Sequence, residues 1–272
     1  MTGAERSVPT VIPPPTAKPV QRGPVHPFDA VPEGHPPLLI SQPWQRVRVY
    51  VWEVPVRITH WVVVACVVLL TITGGYIADP FLIPESGQTM GVMRFVHMIA
   101  AYVFISSGIV RTYWLFKGNR FAHWQAFIPT NRRHLNEYRY QTGWYLFIRR
   151  ELPGILGHNA LAAATYLVVF FLFLVQTATG FALQAQHGAP LVTTLFSWLN
   201  DLLGVQTIRL VHHLAMWAIL AFMIHHVYAA VLIDHIEKNG LMSSIFSGFK
   251  FATRRDVAKA RDGGIELEEM LK

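Results

Sequence analysis

The chain has 272 residues, of which 52% are hydrophobic and only 14% charged, against about 25% charged in an ordinary soluble domain. Its single cysteine, Cys66, lies inside an apolar run, which excludes a disulfide framework and a thiolate metal site. A net charge of +7 would suit nucleic acid in a soluble protein, but here the apolar residues are gathered into long blocks, and basic residues then report membrane topology.

Residues 1–45 hold 11 of the 17 prolines and no long apolar run. This stretch reads as a Pro-rich, disordered N-terminal tail. It does not read as a signal peptide, because no apolar segment follows a charged start. Four apolar segments come next, at about 60–78, 95–116, 159–183 and 208–233, each near the roughly 20 residues that cross a bilayer. Backbone polar groups in lipid must be satisfied within their own segment. The expected fold is therefore all-α, an integral membrane four-helix transmembrane bundle within residues 46–250, followed by a charged C-terminal tail at 251–272.

Charge sets the expected orientation. The connections 76–93 and 184–207 contain no Lys or Arg, whereas the stretch from Arg111 to Arg150 contains eight. Six more precede or include Arg57 and seven follow the fourth segment. By the positive-inside rule both termini and the central loop are cytoplasmic, and only Arg94 and Arg209 remain on the outer side. Trp61, Trp114 and Trp144 fall near the cytoplasmic boundaries, where an aromatic belt is expected. The basic, aromatic loop 118–157 suits the membrane surface.

Of the 13 histidines, His26, His35, His123, His134 and His187 fall in tails or loops and read as surface residues. His158 and His235 flank spans. Six others, His60, His97, His212, His213, His225 and His226, lie within the spans, where ionisable groups are costly and functional. Depth sorts them. His60 opens the first span on the cytoplasmic side, and His97 opens the second on the outer side. The fourth span carries an outer pair, His212 and His213, and an inner pair, His225 and His226.

Helical geometry separates the members of each pair. The 14-residue spacing from His212 to His226 returns to within about 40° of one face and rises about 21 Å, whereas a 13-residue spacing misses by about 140°. The expected sets are His97 with His212 outside, and His60 with His226 inside. Two imidazoles from different helices without an acidic or thiolate partner suit an axially ligated haem iron. A histidine-based metal transporter is the alternative from another class; it would bring carboxylates, and the spans hold none before Asp234.

Three of these histidines close an Arg-x-x-His motif: Arg57 to His60, Arg94 to His97, and Arg209 to His212. Residues three apart share a helix face, and an arginine one turn nearer the surface suits a haem propionate. Gly74 lies 14 residues after His60, at the outer level, and Gly108 lies 11 after His97, at the inner level. A missing side chain at either place admits a flat macrocycle; small residues equally serve helix packing.

The run YVWEVPVRITHW, with RFVHMIAAYVF, GHNALA, TGFALQAQH, VHHLAMW and HHVYAAV, resembles the b-type cytochrome subunit of membrane-bound [NiFe] uptake hydrogenases over about residues 48–250. Pieces such as P-V-R-x-x-H-W are shared with related di-haem cytochromes, including formate dehydrogenase gamma subunits, which leaves another periplasmic oxidoreductase as the alternative partner. The resemblance implies an electron-transfer subunit of the cell inner membrane with no bond-making chemistry of its own. It implies two haem b groups, with the occupancy of the inner site left open, ligated at His60, His97, His212 and His226. It also implies the hydrogenase small (iron–sulfur) and large subunits as electron source and a quinone as acceptor. Where the family reads G-H-N-P, this chain has Gly157-His158-Asn159-Ala160, and its Pro-rich tail is longer.

Overall fold

The computed structural model describes residues 46–80, 87–128, 160–187 and 190–253, with isolated positions between 136 and 148 and at 257. The Pro-rich tail, most of the central loop, the Gly157–Asn159 turn and the end of the C-terminal tail lie outside the described residues. The elements run β1 (Arg46–Tyr50), α1 (Val54–Ala78), α2 (Gly87–Lys117), a 3-10 turn (Trp124–Ala126), α3 (Ala160–Gln184) and a 3-10 turn (Ala185–His187). They continue with α4 (Pro190–Leu203), α5 (Val205–Glu237), α6 (Leu241–Ser247) and β2 (Phe249–Thr253).

Four of these helices, α1, α2, α3 and α5, are long and apolar enough to cross a membrane. They are the four expected spans. Three of them start earlier than the apolar runs alone suggest, with α1 beginning at Val54 and α2 at Gly87. Pro55 occupies the first turn of α1, where its missing N–H costs no hydrogen bond. Little of the spans is buried within the chain, as expected of helices whose outward faces meet hydrocarbon rather than water. The chain is thus an integral membrane protein built as a helical bundle. It packs as two hairpins, α1 on α2 and α3 on α5, with α4 against both members of the second. Phe104 meets Phe173 edge-on, with ring centroids 4.9 Å apart, and Tyr102 meets Phe181 at 6.0 Å, so that α2 and α3 touch.

One end of the bundle carries structure that hydropathy does not signal. There β1 and β2 pair antiparallel, from Arg46 opposite Thr253 to Tyr50 opposite Phe249. Val49, Val51, Trp52, Val56, Phe121, Ala122 and Ala252 form one buried cluster beneath them. Polar links close this sheet end. Trp52 Nε1 donates to Ser244 Oγ at 2.9 Å. The Glu53 carboxylate accepts from Trp114 Nε1 at 2.8 Å and from the Asn119 backbone N–H at 2.6 Å, and Asn119 Nδ2 donates to Val51 O at 3.0 Å. Trp114, expected in an aromatic belt, therefore has its indole N–H tied to a carboxylate. His123, expected at the surface, is half-buried with Nδ1 shut away from water.

The opposite end carries α4, also unsignalled by the spans. Thr193 Oγ1 donates to Ala185 O at 2.9 Å and Asn200 Nδ2 to Ala182 O at 2.6 Å, which tie one face to the end of α3. Leu191, Leu195, Trp198 and Leu202 stand exposed on the other. Gly204 then reverses the chain into α5 at φ 75°, a backbone region that favours glycine.

Gly248 is the tightest point of the sheet end. It has φ 88°, and an added Cβ would lie 2.8 Å from the Trp52 carbonyl and 2.7 Å from the Tyr50 ring. Its own carbonyl accepts from the N–H groups of Val51 and Trp52 at 2.8 and 3.1 Å. Gly248→Ala is therefore expected to lower stability by more than about 1 kcal/mol, read as a fall in the thermal unfolding midpoint of the detergent-solubilised protein. Gly75→Ala, which meets no atom within 4 Å, is the control expected to leave it unchanged.

Candidate functional site

The expected histidines gather at two levels of the bundle. At the sheet end, the rings of His60 on α1 and His226 on α5 face one another with centroids 6.5 Å apart. At the opposite end, His97 on α2 and His212 on α5 lie near enough to interact electrostatically. All four are half-buried, whereas His225, the alternative to His226, is exposed. His213, the alternative to His212, shares its Nδ1 with the backbone carbonyl of Arg209 at 2.8 Å, a tie within its own helix.

The far-end pair is held by a construction that appears twice. His97 Nδ1 lies 2.9 Å from Thr73 Oγ1 on α1, and His212 Nδ1 lies 2.9 Å from Thr179 Oγ1 on α3. Each threonine hydroxyl already donates back along its own helix, Thr73 to Leu69 O at 2.7 Å and Thr179 to Val175 O at 2.6 Å, the usual arrangement for threonine inside a membrane helix. A hydroxyl with its one hydrogen so engaged meets the imidazole as an acceptor. That arrangement calls for the tautomer with its proton on Nδ1 and a lone pair on Nε2. At His212 the Gln176 amide nitrogen sits 3.1 Å from Nε2, as a donor facing that lone pair.

Glycine follows each of the two threonines. A Cβ on Gly74 would stand 3.2 Å from His97 Cε1, and one on Gly180 would stand 3.3 Å from His212 Cε1. Gly74 thus serves His97 directly, by making room for its ring. Gly108, expected at the inner level, meets no atom within 4 Å. Thr179, Gly180 and Gln176 were not anticipated from the sequence, since α3 carries no histidine. The signal that finds them is the repeated Thr-Gly pair, Thr73-Gly74 and Thr179-Gly180.

The sheet-end pair has different surroundings. Phe222 stacks on His226 at 5.4 Å and 21°, and Tyr166 meets the same ring edge-on at 6.0 Å. Trp61 packs its edge against His60 at 5.2 Å and stacks on Phe246 of α6 at 4.7 Å. Arg57, one turn below His60, is half-buried and donates from Nη1 to the Phe246 carbonyl. Arg94 and Arg209 are exposed at the other end.

Residues 51–248 match the model of the family described as Prokaryotic cytochrome b561. The chain belongs to that family. Among similar proteins is the "Probable Ni/Fe-hydrogenase B-type cytochrome subunit" of Rhodobacter capsulatus, 37% identical over 219 residues, which cover 76% of this chain and 82% of the relative. The protein of the same name from Rhizobium leguminosarum bv. viciae is 35% identical, over 78% of this chain and 93% of its own length. The "Probable Ni/Fe-hydrogenase 1 B-type cytochrome subunit" of Escherichia coli K12 is 34% identical, over 74% and 90%.

A cytochrome b carries haem b and moves electrons, and the residues here fit that group. Two imidazoles bound at about 2 Å on opposite sides of one metal ion hold their centroids roughly 6 Å apart, close to the 6.5 Å between His60 and His226. Buried polar atoms without a partner stand at both levels, His60 Nδ1 at one and Gln176 Oε1 at the other, where a packed core would normally satisfy them. The donor set, neutral imidazoles in an apolar surround, is that of an axially ligated haem rather than of a carboxylate-rich cation site.

Because Gly180 faces the His212 ring, Gly180→Leu is expected to push that ring aside and lower the haem-to-protein ratio of the purified cytochrome. Gly75→Ala, at an open position, is expected to leave the ratio unchanged. Pyridine haemochrome absorbance against protein content measures both.

Proposed function

We propose that this cytochrome b561 is the membrane subunit of a nickel–iron hydrogenase, passing electrons through two b haems to the quinone pool. The observation that carries this reading is the stacking of two histidine pairs along one helix. His212 and His226 on α5 lie 14 residues apart, about 21 Å along the axis; His226 faces His60 of the first hairpin, and His212 lies within electrostatic reach of His97. The hydrogenase assignment is supported by the names of relatives that align over most of both chains.

In this reading His97 and His212 hold the outer haem, and His60 and His226 the inner one. Haem iron supplies the reversible one-electron change; the protein sets its ligands and surroundings. Arg94 and Arg209 stand exposed one turn beyond their histidines, ready to pair with propionates turned to water. Arg57 takes that part at the inner level while also holding the Phe246 carbonyl. The distribution of basic residues supports an inner-membrane topology with the sheet end, the termini and the central loop cytoplasmic. The hydrogenase small and large subunits then deliver electrons at the α4 end, and quinone reduction follows from the inner haem.

Single substitutions test the pairing. His97→Ala and His212→Ala are each expected to remove the same haem, and His60→Ala and His226→Ala the other, resolved by redox titration of the α-band. Two six-coordinate haems surviving in His212→Ala would overturn the pairing. Affinity purification from membranes of the source cells tests the partner. A nickel-containing subunit is expected to copurify, and a molybdenum-containing one in its place would overturn the hydrogenase assignment.

A further inference from the structure

The two outer histidines share more than a level. On the first hairpin, Thr73-Gly74 of α1 serves Arg94-Phe95-Val96-His97 of α2; on the second, Thr179-Gly180 of α3 serves Arg209-Leu210-Val211-His212 of α5. Both threonine–histidine distances are 2.9 Å, both threonines spend their hydrogen on the carbonyl four residues back, and both glycines clear the histidine Cε1. Among the described residues, the sheet-end pair shows none of this. His60 Nδ1 is buried without a hydrogen-bond partner, and His226 is held by ring contacts with Phe222 and Tyr166.

We propose that Thr73 and Thr179 are matched positioning residues for the outer haem, each accepting a hydrogen bond from the Nδ1–H of its histidine so that Nε2 faces the iron. This rests on the reading of His97 and His212 as iron ligands. An acceptor at Nδ1–H fixes the tautomer and ring plane and raises the basicity of the opposite nitrogen. A more basic axial ligand favours the ferric over the ferrous ion, so the two threonines hold the outer haem at a lower potential than bare imidazoles would. Packing of each ring against its glycine, Gly74 for His97 and Gly180 for His212, keeps the ring in place when the hydroxyl is removed, so the loss appears in potential rather than in ligation. The Gln176 amide, 3.1 Å from His212 Nε2, takes that lone pair here and would give way to the iron.

The test uses the full-length protein purified with its haem and titrated optically. Thr73→Val and Thr179→Val keep the side-chain shape and remove the hydroxyl. Each is expected to retain haem while shifting one midpoint potential upward, leaving the other unmoved; the double variant shifts it further. Thr73→Ser and Thr179→Ser, which restore the acceptor, are expected to return it. Potentials identical to the parent in Val variants that retain haem would overturn the proposal and leave the threonines as packing residues. Should the Val variants fail to accumulate, pulsed EPR of the unsubstituted ferric protein in H2O and in D2O serves instead. A proton on Nδ1 of both outer ligands is expected, and a proton on Nε2 of either would overturn the proposal. Failure of the underlying reading is distinct: in that case His97→Ala and His212→Ala leave both potentials and the haem content intact, whatever the threonine variants do.

Discussion

An imidazole inside a lipid-embedded bundle has two nitrogens that water does not reach, and the structure follows from what each is given. Neutral histidine needs an acceptor for its N–H and a donor or a metal for its lone pair. In an apolar helix the nearest acceptors are hydroxyls and carbonyls of a neighbouring helix, and leaving such a group unmet is costly. At the far end of this bundle Thr73 and Thr179 stand 2.9 Å from the Nδ1 atoms of His97 and His212. That solution dictates which helices pack: α1 must lie beside α2, and α3 beside α5, with glycine at the closest approach. The two hairpins are thus fastened by the same polar contacts that aim the histidines.

The sheet end uses a different device. Its histidines have aromatic neighbours rather than hydroxyls, and their placement depends on a small water-side fold below them. Glu53 links the foot of α1 to Trp114 and Asn119 at the end of α2, and Trp52 links the same foot to α6 through Ser244. Arg57 is bound to the Phe246 carbonyl, and Trp61 stacks on the Phe246 ring. His60 is therefore positioned by the β1–β2 sheet and α6 as much as by its own helix. Two histidine pairs in one chain thus sit in unlike surroundings, beside threonine hydroxyls at one level and aromatic rings at the other. Axial-ligand hydrogen bonding and local polarity are both levers on haem potential.

Much of this molecule was legible in its sequence because lipid removes alternatives. A run such as HWVVVACVVLLTITGGYIA can only be a helix in hydrocarbon, so its length and register follow directly. Once α5 is a helix, the 14-residue interval fixes His212 and His226 on one face, and positions 213 and 225 fall elsewhere; the structure has His225 exposed and His213 tied to its own backbone. The pairing of levels likewise follows from the alternation of chain direction across a bilayer. None of these steps needs a long-range contact.

Contacts between residues far apart in sequence were decided by the tertiary structure alone. The strand Arg46–Tyr50 is five residues whose partner lies some two hundred positions away, and no local pattern announces such a pair. The helix Pro190–Leu203 gains its place from bonds to Ala182 and Ala185, which hydropathy does not record. Gly74 was readable as a small residue on the right face, but that it makes room for the His97 ring was not. The third span looked passive because it has no histidine, yet it supplies Thr179, Gly180 and Gln176 to the far-end site. The sequence determined what must be helical and which histidines share a face, because both depend on the period of one helix. Only the packed structure decided which neighbour meets each imidazole nitrogen, because that depends on the rotation of one helix against another.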